Sequence, residues 1–162
     1  AFISRKSIDL FSKFGVLSET EIHSRYEIVL ENYCKTINIE ALTMTDMVRK
    51  QILPALSAFS GELARSAQDK LTLVPSLSLS YEKSTVASLS RLSDSLEAAV
   101  TELEKRVVDA RMVGEVLQAG RYYHDQVLPA MAEVRSISDS AELLMGETYY
   151  PIPTYEQLLY SV

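Results

Sequence analysis

The sequence predicts an all-α fold, and three observations support this class. Apolar residues recur at spacings of three and four over two long stretches, which is the period of an amphipathic helix. Five glycines and five prolines in 162 residues are too few for the frequent turns of an all-β chain. The clearest loop, residues 72–80, holds Pro75 and three serines and separates the two stretches. We therefore expect an elongated antiparallel helical bundle of long, proline-kinked helices, forming a single domain over residues 1–162.

Residues 1–71 are expected to form the N-terminal helices. A short helix is predicted over residues 7–14, with Gly15 placed to cap its C-terminus. Ser18 and Glu21 then form the S-x-x-E pattern of a capping box, which predicts the start of a long second helix. This helix carries a main apolar stripe and a second stripe on another side. The second stripe consists of Ile28, Ile39, Leu42 and Met47. Because a helix that is apolar on two faces is usually buried between neighbours, both stripes are expected to be covered.

Residues 81–146 are expected to form a long helical arm. The apolar residues of its first half follow a near-heptad seam: Val86, Leu89, Leu92, Leu96, Ala99, Leu103, Val107 and Ala110. Gly114 and Gly120 are expected to weaken or bend the arm, because glycine lowers helix stability. The apolar pattern then resumes and continues to Gly146.

A short repeat links the two helical stretches. Residues 51–56 (QILPAL) match residues 126–131 (QVLPAM) by identity or by apolar exchange. Proline removes a backbone donor and clashes with the carbonyl four residues earlier, so kinks are expected at Pro54 and Pro129. Two interpretations stay open: two helices kinked alike at the same depth in the bundle, or a coincidence of two proline sites.

Residues 147–162 are predicted to form a docking tail rich in tyrosine and proline. Pro151 and Pro153 exclude a continuous helix through this segment. Tyrosines of such a tail bury well, either on the bundle's own end or on another domain or subunit. Asn38 interrupts an apolar face of the second helix, where it can fix helix register or contact a ligand or another subunit. The candidate contact residues are therefore Asn38, Tyr149, Tyr150, Tyr155 and Tyr160.

The composition excludes several classes of protein. The chain has 16 Lys and Arg against 22 Asp and Glu, a net charge of −6, which argues against a nucleic-acid surface. Its one cysteine, Cys34, excludes an internal disulfide framework and fits a reducing cytoplasm. No apolar run approaches the roughly 20 residues of a membrane helix, and no signal peptide is evident. We expect a cytoplasmic chain with no nucleic-acid or membrane partner.

Few catalytic patterns occur in the sequence. It contains no G-x-x-x-x-G-K-[ST] phosphate loop and no G-x-S-x-G nucleophile elbow. Neither His23 nor His124 follows a glutamate by three residues, so the Glu-x-x-His pairs of a di-iron bundle are absent from the sequence. His124 offers one alternative hypothesis, a stand-alone interaction or His-phosphotransfer protein in which the imidazole accepts a phosphoryl group. The other interpretation is a histidine at the edge of a contact between two helices, hydrogen-bonded to a neighbouring residue.

Several blocks of the sequence resemble the late part of type III glutamine synthetases. The longest is residues 30–44 (LENYCKTINIEALTM), and two shorter blocks, within residues 7–16 and 23–28, precede it. Three more follow in the order of the family: residues 52–55 (ILPA), 127–131 (VLPAM) and 150–155 (YPIPTY). Several multi-residue blocks in one order are a more specific signal than a single short motif.

This resemblance implies a longer cytoplasmic subunit of which the chain is the C-terminal helical region. The family condenses glutamate with ammonia, uses ATP with Mg or Mn, and assembles double-ring oligomers. Its metal-binding carboxylates and phosphate-binding arginines lie upstream and have no matching motif here, so we assign no catalytic, cofactor-binding or metal residue to this chain. The expected function is a non-catalytic role in subunit packing or oligomer assembly. The implied partners are the catalytic domain of the same subunit and neighbouring subunits of a homo-oligomer.

Overall fold

The described part of the chain, residues 2–153 and 155–160 of a computed structural model, contains helices and no strand. The all-α class is therefore confirmed. We number the helices α1 to α7 and call the two π-helical turns π1 and π2. The elements are α1 (Arg5–Lys13), α2 (Glu19–Met47), π1 (Val48–Ile52), α3 (Leu53–Leu73), α4 (Ser80–Arg111), α5 (Val116–Tyr122), π2 (Tyr123–Val127), α6 (Leu128–Glu142) and α7 (Tyr155–Tyr160).

The junction between α1 and α2 is set by local chemistry, as the sequence predicts. Gly15 has a φ of 62°, the left-handed conformation that ends a helix without the steric cost of a side chain. The predicted capping box is also present. The Ser18 amide donates to Glu21 Oε2 at 2.8 Å, and the Glu21 amide donates to Ser18 Oγ at 3.3 Å. The hydrogen bond from the Ser18 backbone lowers the pKa of the Glu21 carboxyl.

Three helical rods form the bundle. The first runs without a break through α2, π1 and α3; the second is α4; the third runs through α5, π2 and α6. The first two rods are antiparallel. Asn38 of the first rod bonds to Arg111 at the end of α4, whereas Lys70, near the end of the first rod, bonds to Glu82 at the start of α4. The second and third rods are also antiparallel, and the third therefore runs alongside α2 in the same direction.

The segment predicted as one helical arm, residues 81–146, is folded differently. It consists of two antiparallel rods that reverse direction between Arg111 and Val116. The Glu115 side chain accepts hydrogen bonds from the Leu117 and Gln118 amides, both at 2.9 Å, and so starts a new helix. Gly114 lies in the turn itself, whereas Gly120 lies inside α5. The apolar spacing continues across the turn, which is why periodicity alone does not reveal it.

In both repeated segments the proline follows a π-helical turn, which ends two residues before it. In each case the residue before the proline, Leu53 or Leu128, donates its amide to the carbonyl five residues earlier. The longer hydrogen bond widens the helix where proline cannot donate, and the chain stays helical through both sites. The kinks themselves remain a prediction.

The two prolines do not lie at the same depth. Arg49, five residues before Pro54, bonds to Glu97 and Glu104 of α4. Gln126, three residues before Pro129, accepts instead from Arg106. The repeat therefore gives the same local backbone conformation at two different levels along α4. It does not mark one shared layer of the bundle.

One apolar core joins the three rods, and α4 lies at its centre. It includes the completely buried side chains Leu56, Leu89, Leu96, Val100, Leu103, Val127 and Val134. These come from the first, second and third rods, so no rod buries its apolar face without the other two. None of the helices in the described residues is both long and apolar enough to cross a membrane.

Candidate functional site

The second apolar stripe of α2 lies on the surface of the bundle. Ile28, Ile39 and Leu42 are 53%, 63% and 44% exposed, and Met47 is half-buried. The expectation that neighbouring helices cover this stripe is therefore wrong for the described chain. The buried residues of α2 lie on its other side, where α4 and the third rod pack. We call the exposed residues Ile28, Ile39 and Leu42 the outer face of α2.

A groove of about 530 Å³ lies beside this face, between α2–π1 and α6. Its floor is apolar and includes Ile39, Met44, Met47, Val48, Ile52, Met131 and Val134. Its rim carries three carboxylates, Glu40, Asp139 and Glu142, and one cation, Arg135, whose Nε lies 3.8 Å from Asp139 Oδ2. An apolar floor with an acidic rim favours an apolar ligand that carries positive charge.

The tail forms the third wall of the groove. Tyr150 donates its hydroxyl proton to the Ser138 carbonyl at 3.4 Å, which ties the tail to α6. Burial, together with the nearby charges of Glu142 and Asp139, raises the pKa of Tyr150 to about 12. The phenol therefore stays neutral at physiological pH. Ile152 and Pro153 continue the wall beyond it.

The structure separates the predicted tyrosine contacts into two groups. Tyr149 packs its ring against Phe59 of α3, with 4.7 Å between centroids, so Tyr149 and Tyr150 both pack on the bundle's own end. Tyr160 is 76% exposed at the end of α7. Tyr155 begins α7, and its side chain lies outside the described residues, as does all of Thr154.

Asn38 lies at the meeting point of the three rods. Its Oδ1 accepts hydrogen bonds from Arg111 Nε of α4 at 3.1 Å and from the Tyr123 hydroxyl of π2 at 3.3 Å. These two bonds fix the register of α2 against its neighbours, the first of its two predicted roles. A contact of Asn38 with another subunit stays a prediction.

Arg49 connects π1 to α4, a contact that no pattern in the sequence predicts. Its guanidinium donates to Glu104, to Glu97 and to the Thr101 hydroxyl over distances of 2.6 to 3.1 Å. The pKa of Arg49 is raised and that of Glu104 is lowered, in each case chiefly by the hydrogen bonds between them. An arginine opposite two carboxylates on a distant helix leaves no pattern in the sequence around it.

The described residues offer contact surfaces and little chemistry. Within residues 2–153 and 155–160, no group of three or more His, Cys, Asp and Glu side chains is arranged to hold a metal ion. Burial raises the pKa of the Cys34 thiol, which leaves it protonated and a weak nucleophile. His124 is exposed, and its Nδ1 lies 2.7 Å from Asp125 Oδ1. A carboxylate on Nδ1 orients the imidazole and is compatible with both interpretations of His124, so the phosphotransfer alternative stays a prediction.

Comparison with known proteins agrees with the resemblance seen in the sequence. Residues 1–70 match the family described as the glutamine synthetase C-terminal domain. The chain is 38% identical over 161 residues to a glutamine synthetase of Butyrivibrio fibrisolvens, an alignment covering 99% of this chain and 23% of that protein. It is 30% identical over 161 residues to a type-3 glutamine synthetase of Dictyostelium discoideum, covering 97% of this chain and 22% of that protein.

A more distant relative is a glutamine synthetase of Bacteroides fragilis. It is 24% identical over 155 residues, which cover 90% of this chain and 21% of that protein. The chain therefore spans less than a quarter of the length of each of these curated relatives.

Proposed function

Because the chain belongs to the glutamine synthetase family as a C-terminal domain, we propose that it is a non-catalytic packing domain of an ATP-dependent glutamate–ammonia ligase. In this proposal it contributes to subunit packing or oligomer assembly of a cytoplasmic homo-oligomer that serves glutamine biosynthesis and nitrogen assimilation. Its partners are the catalytic domain of the same subunit and neighbouring subunits.

The outer face of α2 is the observation that carries this proposal. Three branched apolar side chains, Ile28, Ile39 and Leu42, point away from the core of the bundle and lie roughly half exposed on one helix face. Scattered apolar residues are normal on a surface, but a one-sided row on a rigid helix is typical of a packing surface. The rest of a subunit four times as long supplies the surface to cover it.

Catalysis is assigned to the remainder of the enzyme. ATP and Mg or Mn are the cofactors that the family relationship implies. The described residues do not offer the clustered carboxylates or imidazoles that would hold such a metal ion. In this proposal the purified chain alone forms no glutamine from glutamate, ammonia and ATP.

The test uses the full-length enzyme with Ile28→Glu and Leu42→Glu together. Two charges placed in a buried apolar contact are costly to desolvate, so the native oligomer should separate into smaller species in multi-angle light scattering. Val108→Glu is the matched control, because Val108 is 57% exposed on α4 and lies outside the outer face. An oligomer of unchanged mass in the double variant would contradict the proposed packing role.

A further inference from the structure

The first helix has no buried residue, although it is strongly amphipathic. Leu10 is 54% exposed, and Phe14, which follows the last turn, is 69% exposed. On a helical wheel, Lys6 and Lys13 lie on the same edge as these two side chains. With Arg5 included, α1 carries three cations against the single carboxylate of Asp9, so its exposed apolar edge is positively charged.

The groove between α2–π1 and α6 has the complementary properties. Its apolar floor extends from Ile39 to Ile52, about 20 Å at 1.5 Å per residue, whereas the nine residues of α1 span about 14 Å. Its rim holds Glu40, Asp139 and Glu142, and the rim cation Arg135 is already paired with Asp139. A short basic amphipathic helix matches this groove in length, polarity and charge.

We propose that α1 of one copy of this chain docks into the groove of a second copy. Leu10 and Phe14 would contact the methionine-rich floor, while Lys6 and Lys13 would face the acidic rim. This contact rests on the proposed function, because it names one surface through which subunits are joined. The groove shares Ile39 with the outer face, but neither Ile28 nor Leu42 lines it, so substitutions at those two positions test the outer face alone.

The chain's own α1 cannot fill its groove. Lys13 ends α1 and Glu19 begins α2, and six steps of extended chain between them reach about 20 Å at most. The groove starts at Ile39, about 30 Å along α2 from Glu19. With α2 folded, Leu10 and Phe14 of the same chain therefore stop short of Met44 and Met47, so an α1 that fills the groove belongs to another copy of the chain.

Mixed-disulfide formation tests this contact in the full 162-residue chain. In a Cys34→Ser background, one copy carries Phe14→Cys and a second copy of different mass carries Met47→Cys, at the groove floor. The heterodimer should form at least about ten times faster than in the control mixture of Phe14→Cys with Ser90→Cys, because Ser90 is exposed on α4 and away from the groove. Equal rates for the two mixtures would overturn the proposal.

Charge exchange gives an independent measurement by sedimentation equilibrium. Lys6→Glu with Lys13→Glu in α1, or Glu40→Lys with Glu142→Lys at the rim, should each weaken self-association by about tenfold or more. Mixing the two variants should restore hetero-association to within about threefold of the parent chain. Circular dichroism establishes that all variants keep their helix content.

Three results would count against the contact. The parent chain could be monomeric, the exchanged charges could fail to restore binding, or α1 could bind vesicles of anionic lipid while the chain shows no self-association. The proposed packing role is tested separately. An enzyme that dissociates on Ile28→Glu with Leu42→Glu, yet shows no preferred Phe14–Met47 crosslink, refutes the α1–groove contact and leaves the packing role standing.

Discussion

The helices α2 and α4 are nearly equal in length but differ in how much of them is buried. Three of the 29 residues of α2 are buried, against nine of the 32 residues of α4. α4 lies between α3 and α6 and contacts both extensively, whereas α2 packs on one side and leaves its outer face open. Similar apolar patterns in the sequence thus lead to one helix that holds the bundle together and one that presents a surface.

The difference follows from the number of rods. The second rod, α4, has α3 and α6 packed along most of its length, whereas α2 meets α4 and the third rod on one side only. The first rod is also longer than its partners, so parts of α2 extend past them. Its apolar residues are therefore available for contacts outside the domain, which is the basis of the proposed packing role.

The largest expected effect contrasts a core position with an outer-face position. Leu96→Ala removes a completely buried side chain of α4 and should lower the free energy of unfolding by about 2–5 kcal/mol. Ile28→Ala, at a 53% exposed position of α2, should change it by no more than about 0.5 kcal/mol in the isolated chain. Urea unfolding followed by circular dichroism measures both, and equal losses would invalidate the contrast between the helices.

The second-largest effect is expected at Arg49, whose ion pairs join the first and second rods. Arg49→Met leaves Glu97 and Glu104 without their shared cation and should cost about 1 kcal/mol, a value reduced by the partial exposure of all three side chains. Lys50→Met is the control, because Lys50 pairs with Asp46 of the same helical rod, one turn earlier, and is mostly exposed. Urea midpoints at low and high salt should separate the two variants; indistinguishable midpoints would show that the guanidinium does not connect the rods.

Two glycine-to-alanine variants test the backbone conformation in the first rod and in the turn before it. Gly61 lies inside α3 with open space where a Cβ would stand, so Gly61→Ala should stabilise the chain by about 0.5–1 kcal/mol. Gly15 has a positive φ, so Gly15→Ala should destabilise it by about 1 kcal/mol. Thermal unfolding gives the sign of each change, and a shared sign would contradict the assigned conformations.

The smallest expected effect is the acid dependence of the rod contacts. Hydrogen bonds from Arg49 lower the pKa of Glu104 in the folded chain below its ordinary value of 4.5. Because the folded pKa is the lower one, the stabilisation is present above pH 4.5 and is lost as the pH falls through the folded value. The loss at Glu104 should be at most about 1 kcal/mol, since that carboxylate is partly solvated.

Glu104→Gln provides the comparison for this titration. The variant should show a flatter decline in unfolding free energy between pH 7 and pH 3 than the parent chain. A parallel decline in both proteins would assign the acid sensitivity to other carboxylates, such as Glu82, whose pKa the hydrogen bond from Lys70 also lowers.

Part of this fold can be predicted from the sequence, because it depends on interactions between neighbouring residues in the chain. The glycine at position 15, the capping box at Ser18 and Glu21 and the loop near Pro75 each act through neighbours in the chain, and the structure places helix ends at all three. Helical periodicity likewise depends on spacing alone, which is why the all-α class follows without knowledge of any contact. The blocks of family resemblance are also properties of the linear sequence.

Tertiary structure decided what these local rules leave open. The seam of α4 and the second stripe of α2 are both apolar at helical spacing, yet only the three-rod arrangement makes the first a core and the second a surface. The groove depends on helices that lie about 90 residues apart in the chain, and Arg49 depends on carboxylates about 50 residues away. Periodicity specifies the faces of a helix, whereas burial depends on which neighbours cover them.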